Sequence, residues 1–357
     1  MKLMSKKIAI FLVLATLLSL CACAGEKTNG EIVGDLVYYP QTDGTYGVGA
    51  YEKSVETLTT VTVPAQYNGK NVTVVVANGF ANCTALKQIT LPETIREIQD
   101  FSFSNCTRLA DLTLNEGLLT IGSYAFSGCK KLKEISLPDS VVTLEEHAFS
   151  FCSRLETVKL SNGMNALEAY TFYKCDALKE IDVPDCIYTV APYAFEDCDA
   201  LLEVKLGSRL VSFNESIVKG CRALEKITMS EENTLYYSVD GVLYNELTDE
   251  IVFVPKNLSG DITVPQGVTK IAASTFANRV GLTSVTLAAS VEYVGSSAFF
   301  GCDSIEKIVV EGILDNWYFG DGYRVKESIL SDPETAAIYF LDKTQVTATY
   351  RSTYKGN

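Results

Sequence analysis

The 357-residue chain has very little of what catalysis usually needs. It carries one histidine, His147, and one tryptophan, Trp317. Histidine-dependent triads and histidine-rich metal sites therefore share a single candidate. No G-x-S-x-G, phosphate-binding loop or H-E-x-x-H is present. Basic residues are in the minority, with 30 Lys and Arg against 44 Asp and Glu, a net charge of −14. Removing a leader that holds Lys2, Lys6 and Lys7 takes this to −17. Such a surface repels phosphate backbones, so no nucleic-acid partner is expected. The apolar run from Ile8 to Leu20 has 13 residues, short of the roughly 20 that a membrane span requires. These absences point away from an enzyme and from any cofactor or metal.

What the chain does have is repetition. The stretch "IGSYAFSGCKKLKEISLPDSVVT" from Ile121 returns along the sequence, with cysteines at 83, 106, 129, 152, 175, 198 and 221, each 23 residues from the last. After a gap of 58 residues Arg279 takes the cysteine position, and Cys302 follows it by 23. This gives nine copies, one of them carrying a 35-residue insertion. A unit that recurs at a fixed period buries its apolar face against its neighbours rather than alone. Phe80, Phe103, Phe126, Phe149, Phe172 and Phe195 each precede a cysteine by three residues, and a Leu follows it by three. Aliphatic residues stand six and eight positions after it, as Ile135 and Leu137 do. That last pair has a period of two and belongs on one face of a short strand. The Ala-Phe segment reads as a helical or 3₁₀ turn. With one strand per 23 residues, neighbouring copies pair and stack into a continuous core. The expected fold is a β-rich α+β solenoid, a leucine-rich-repeat array of about nine coils with a β-hairpin insertion and non-repeating caps.

The pattern I-G-x-x-A-F-x-x-C-x-x-L-x-x-I-x-L-P-x-x-V resembles the BspA-type leucine-rich repeat, over roughly Val74 to Val310. "LVYYPQTDGTYGVGAYEKSVETLTTVTVPAQYNGKNVTVV" resembles the β-rich segment that opens such arrays. The resemblance implies a surface protein of gut or oral bacteria or of some protist parasites, with roles in adhesion to host proteins, bacterial aggregation and host recognition.

The leader, "MKLMSKKIAIFLVLATLLSLCACAG", has a basic start and a short apolar run, as a secretory signal does. Bacterial lipoprotein signals place a small residue directly before the lipidated cysteine. Cys23 follows Ala22, whereas Cys21 follows Leu20, so Cys23 is the better anchor; the alternative is a plain signal peptide cleaved near Ala24. The expected division is a signal at 1–22, a tether at 23–34, an N-terminal cap at 35–73, repeats at 74–310 with the insertion near 233–267, and a C-terminal cap at 311–357. Trp317 and Tyr339 are expected against the last coils. Export, with a lipid anchor on the outer face of a bacterial membrane, follows.

Eleven cysteines in an exported chain raise the question of disulfides. Successive repeat cysteines lie about 5 Å apart, the spacing of paired strands, which is within reach of a bridge. Equivalent side chains point the same way, however, and Arg279 stands in the slot without a partner. The reading is a ladder of free buried thiols behaving as small apolar groups. "LPETI" from Leu91 resembles a sortase signal but has Ile95 where Gly is needed, and is the strand end of one repeat. The insertion alternates apolar and polar residues around Asp240-Gly241, a hairpin turn signal.

His147, beside Glu145 and Glu146, reads as a solvated side chain on an exposed turn rather than a base. Strand residues flanking the buried pair, such as Glu134 with Ser136 and Glu180 with Asp182, make a mixed polar face without aromatics. The candidate ligand site lies elsewhere. The residue two before the repeat Phe is Phe101, Tyr124, His147, Tyr170 and Tyr193 in five successive copies, and Ser216, Ser274 and Ser297 in later ones. Stacked at about 5 Å per coil, the five rings would form a ridge. The ridge either contacts a protein or sugar or packs on itself to shield the core. Three function classes follow: a surface-anchored protein that binds an extracellular protein or glycan, a glycan-capture lipoprotein serving a transporter, and an envelope spacer. The chain is expected to act as a monomer.

Overall fold

The period-two pair folds as a strand. The computed structural model describes residues 30–295 and 298–311, and the backbone of strands at 318–319, 323–325, 335–340 and 345–350. Ile135 is buried between exposed Glu134 and Ser136 in the strand Glu134–Ser136. Glu134 lies opposite Thr157 and Ile135 opposite Val158 in parallel pairing, a shift of 23 residues. The same register joins Glu180–Val183 to Glu203–Leu206 and that strand to Lys226–Met229. The result is a β-solenoid of about eleven turns with almost no helix.

Two expectations about the coil are corrected. Most coils contain a second, two-residue strand, as in the parallel run of Glu97–Ile98, Thr120–Ile121 and Thr143–Leu144. Each buries a single side chain, so no alternation marks it in the sequence. The Ala-Phe segment is helical in one copy alone: the 3₁₀ turn Glu215–Val218, in the coil of Cys221, is the only helix among the described residues. In the other coils the segment is a run of turns, in which for example the Phe126 amide donates to the Ala148 carbonyl and Gly128 to Ser150. Amides that a helix would pair internally are thus paired with the next coil. The geometry needs two left-handed residues per coil, for example His147 at φ 59° and Phe151 at φ 60°.

Phe80, Phe103, Phe126, Phe149, Phe172 and Phe195 form a buried column of near-parallel rings with centroids 5.2–5.9 Å apart. The coil of Cys221 departs from the pattern by placing Val218 in this slot, and the column resumes with Phe276 and Phe299 at 5.2 Å. Beside it the cysteines are free and, in the repeat slot, buried. They are more than apolar filler: the Cys129 Sγ donates to the Phe103 carbonyl at 3.4 Å, Cys152 to Phe126 at 3.2 Å and Cys221 to Phe195 at 3.0 Å. Arg279, in the same slot, donates to the carbonyls of Pro255 and Val254. In these coils the slot carries a donor aimed at the preceding coil, which explains how so different a side chain as Arg279 can occupy it. Burial pushes the Cys83 and Cys152 thiols up to about 12. An aromatic disulfide reagent at pH 8 is accordingly expected to leave the eight repeat thiols intact in the folded chain and to modify them on denaturation. Rapid native modification in a Cys186→Ala variant with the leader cysteines removed would contradict this.

The insertion forms an antiparallel sheet of Tyr236–Val239, Val242–Asn245 and Ile251–Phe253. Asp240 at φ 49° and Gly241 at φ 82° make the turn. The gap is not all insertion. Ile262 and Val264 pair with Val285 and Leu287, 23 residues on. Ile262 stands 35 residues after Ile227, one coil of 23 plus twelve residues. The sequence hides this coil because Pro255 stands where the cysteine would and the spacing slips by one residue. Buried Leu258, its amide bonded to Pro255 O as Leu282 N is to Arg279 O, fills the leucine slot, and the pairing shifts between Gly260 and Asp261. The hairpin's middle strand joins two cores. Leu243 belongs to the cluster running from Tyr38 to Met229, whereas Val242 and Tyr244 belong to the one running on to Ile308.

At the start, Leu36–Pro40 and Tyr46–Ala50 pair antiparallel, and the latter pairs in parallel with Lys70–Val75, which leads into the short strands. At the far end Lys307–Val310 pairs with Gln345–Tyr350, itself antiparallel to Thr335–Phe340. At each end one of the solenoid's two sheets is thereby extended past its edge coil. Cys23, Ser297 and Trp317 lie outside the described residues, and Tyr339 is within a strand described by its backbone.

Candidate functional site

The five ridge residues are brought together. Successive ring centroids from Phe101 through Tyr124, His147 and Tyr170 to Tyr193 are 4.9, 4.3, 4.6 and 5.1 Å apart, with interplanar angles of 16° or less. All five have φ between 56° and 68°, a region that costs a bulky residue free energy. Coil-to-coil backbone bonds, such as Tyr124 N to Glu146 O at 3.1 Å and Tyr193 N to Ser216 O at 3.0 Å, fix the positions, and the stacking offsets the strain. Ser274 adopts the same conformation at φ 60°, so the slot itself does not require a ring.

Each ring is half-buried. His147 is not the solvated side chain that its acidic neighbours suggest: it is sandwiched between two tyrosines, and its Nδ1 is buried with no hydrogen-bond partner. Burial holds its pKa below the usual imidazole value, with Glu146 opposing. Burial raises the Tyr124 and Tyr170 phenols. In these three rings burial favours the uncharged form. Because the rings stack face to face, their faces are taken up by one another and their edges are left for a ligand. Sugars stack on ring faces, whereas a protein surface can pack on edges and hydroxyls.

The ridge ends at a cleft of about 640 Å³ where the hairpin enters the stack, lined by Tyr193, Ser216, Lys219, Phe253, Ser274 and Arg279. Lys219 sits 5.0 Å from the Tyr193 ring centroid and pairs with Glu196 at 2.9 Å. Among the described residues no group of carboxylates, thiols and imidazole is arranged to hold a metal ion.

A second line of residues was not read from the sequence. Leu119, Val142, Tyr188 and Val211 are 45, 53, 43 and 49% exposed. They stand thirteen positions after Cys106, Cys129, Cys175 and Cys198, and the first three directly precede short strands. Val142 N donates to Leu119 O, and Val211 N to Tyr188 O, both at 3.0 Å. The signal was available in the 23-residue register, but an outward apolar residue stands out only once its direction is known. Asn165 interrupts the row, and Arg209 covers Tyr188 at 5.7 Å.

The repeat register has counterparts in known proteins. The family model described as "BspA type Leucine rich repeat region" matches residues 73–199, 165–260 and 248–319. The fold is similar to that of a leucine rich cell surface protein from Faecalibacterium prausnitzii A2-165, with 24% identity, 82% of this chain and 86% of that one covered, and a TM-score of 0.61. It is also similar to a leucine-rich repeat protein from Bacteroides ovatus ATCC 8483, with 21% identity, 81% and 90% covered, and a TM-score of 0.52. No curated protein matches. A family match over more than half the chain, on coils whose cysteine, phenylalanine and leucine slots are filled as the register requires, places this chain in the BspA-type leucine-rich-repeat family.

Proposed function

We propose that the chain is an exported, non-enzymatic recognition protein, anchored through Cys23 to the outer face of a bacterial membrane, that binds an extracellular protein along its solenoid surface. The observation that carries the reading is the repeated presentation of half-buried or exposed apolar groups in register: the ring edges of Phe101 to Tyr193 and the row from Leu119 to Val211. Apolar groups gathered in register on a folded surface mark interaction sites more often than singly scattered ones do. Membership of a family with leucine-rich surface proteins among its structural neighbours supports display outside the cell. The occupied ring faces favour a protein over a glycan at the ridge.

The test is a panel of immobilised extracellular proteins and neutral glycans, probed with the wild type and with a Tyr124→Ser, Tyr170→Ser, Tyr193→Ser variant. The variant is expected to fold, because serine already occupies this slot at Ser274, and to bind its protein ligand about tenfold or more weakly, a loss of about 1.4 kcal/mol or more. Undiminished binding by the folded variant removes the ridge from the site. Indifference of the wild type to the whole panel favours the spacer reading, and binding to neutral glycans alone favours glycan capture.

A further inference from the structure

A depression of about 650 Å³ on the early coils gathers an unusual set of charges for so acidic a protein. Lys87, Arg108, Lys131, Lys133 and Arg154 line it, and all five are exposed. Arg108, Lys131 and Arg154 are equivalent, each two residues after a repeat cysteine, so they recur at the coil spacing of about 5 Å. The backbone beneath them is fixed from coil to coil, with Ala110 N bonded to Lys87 O at 3.0 Å and Glu156 N to Lys133 O at 2.7 Å.

None of these five cations forms an ion pair among the described residues. The five pairs found there all belong to later coils, for example Lys174 with Asp197 at 3.7 Å, Lys205 with Glu180 at 3.4 Å and Lys226 with Glu203 at 3.1 Å. In those later coils, then, five cations are each paired with a carboxylate one coil away, and here five cations line one hollow without such a pair. We propose that this depression binds a linear anionic polysaccharide, a chain bearing carboxylate or sulfate groups, with Arg108, Lys131 and Arg154 taking successive anionic groups.

The remaining lining residues decide the class. Asp111, Glu134, Glu156 and Thr157 stand among the cations. A sugar chain offers hydroxyl donors to Asp111, Glu134 and Glu156 as well as anions to the cations, whereas the phosphodiester links of DNA carry anions and no hydroxyl donor. The hollow has no aromatic lining residue on which bases could stack. Guanidinium groups suit planar carboxylates and sulfates through paired N–H donors. The net charge of −14 does not prevent local binding, because at physiological salt charges more than about 8 Å away are largely screened.

The site is separate from the aromatic ridge and stands or falls independently of the protein-binding reading. The probes are a size-fractionated heparin oligosaccharide, a hyaluronan oligosaccharide of equal length, neutral dextran, single-stranded DNA and polyglutamate, measured by calorimetry with the folded full-length chain. Binding of heparin, with or without hyaluronan, is expected, with affinity falling as salt rises; binding of both points to carboxylate recognition and of heparin alone to sulfate. The Arg108→Ala, Lys131→Ala, Arg154→Ala variant is expected to bind about tenfold or more weakly. A Lys174→Ala, Lys205→Ala, Lys226→Ala variant, equal in charge change, is expected to bind as the wild type does. The proposal is overturned if no anionic polysaccharide binds, if the two variants lose affinity equally, or if DNA or polyglutamate binds as tightly as the polysaccharide.

Discussion

Leu132→Ala is expected to lower the free energy of unfolding by about 2–5 kcal/mol, the cost of a large-to-small change in a closed core. Leu132 is fully buried. Its surroundings cannot readily collapse onto the space, because its amide is tied to Cys129 O at 3.1 Å and the segment that follows, Glu134–Ser136, is locked in register with Thr157–Lys159. Leu202→Ala is the matched control: Leu202 is 40% exposed, and the same truncation there is expected to cost under about 1 kcal/mol. The position of Leu132 makes its effect larger in a second way. A solenoid coil touches only its neighbours, so a weakened coil in the middle uncouples the parts on either side. Chemical denaturation followed by circular dichroism should show a lowered midpoint and a broader transition. A loss below 1 kcal/mol would mean that the leucine slot is not the core position its burial indicates.

The legibility of this fold differs from one position to another for physical reasons. Phe126, Cys129, Leu132, Ile135 and Leu137 were readable because every coil asks the same of them, and all are buried. The ridge was readable for the same cause: one slot, five rings, one coil apart. The short strands were not, since a strand such as Thr143–Leu144 buries one residue and leaves no alternation. The coil of Leu258 was hidden because Pro255 replaces its cysteine and its spacing slips by one residue, and only its pairing with Gly281–Leu287 reveals it. Outward-facing features fared worst. Val142 and Lys131 look unremarkable in the sequence, because nothing in a 23-residue register says which variable positions converge in space. The thiol ladder was half legible: its burial followed from the period, but its hydrogen bonds to the preceding coil did not.

Cys23→Ala is expected to move the protein from the membrane fraction to the soluble fraction, an all-or-none change and the largest in this set. The expectation rests on the proposed lipid anchor. In the leader, the apolar run from Ile8 to Leu20 is followed by Ala22 and then Cys23, the small-residue-then-cysteine order of a lipidation site. Among the described residues no helix is long and apolar enough to cross a membrane. A single acyl chain gives only marginal, reversible binding, whereas two or more hold a protein firmly at about 0.8 kcal/mol per buried methylene. Loss of the acylated cysteine therefore removes essentially all of the attachment rather than weakening it. Cys21→Ala is the control and should stay with the membrane. The rest of the chain should be unaffected, since residue 23 precedes the first described strand, Glu31–Val33, and the released protein should unfold at the same denaturant concentration as the parent. Retention of a folded Cys23→Ala variant in the membrane fraction, in cells where the wild type is retained, would refute lipidation at this residue and leave the solenoid's own surface as the means of attachment.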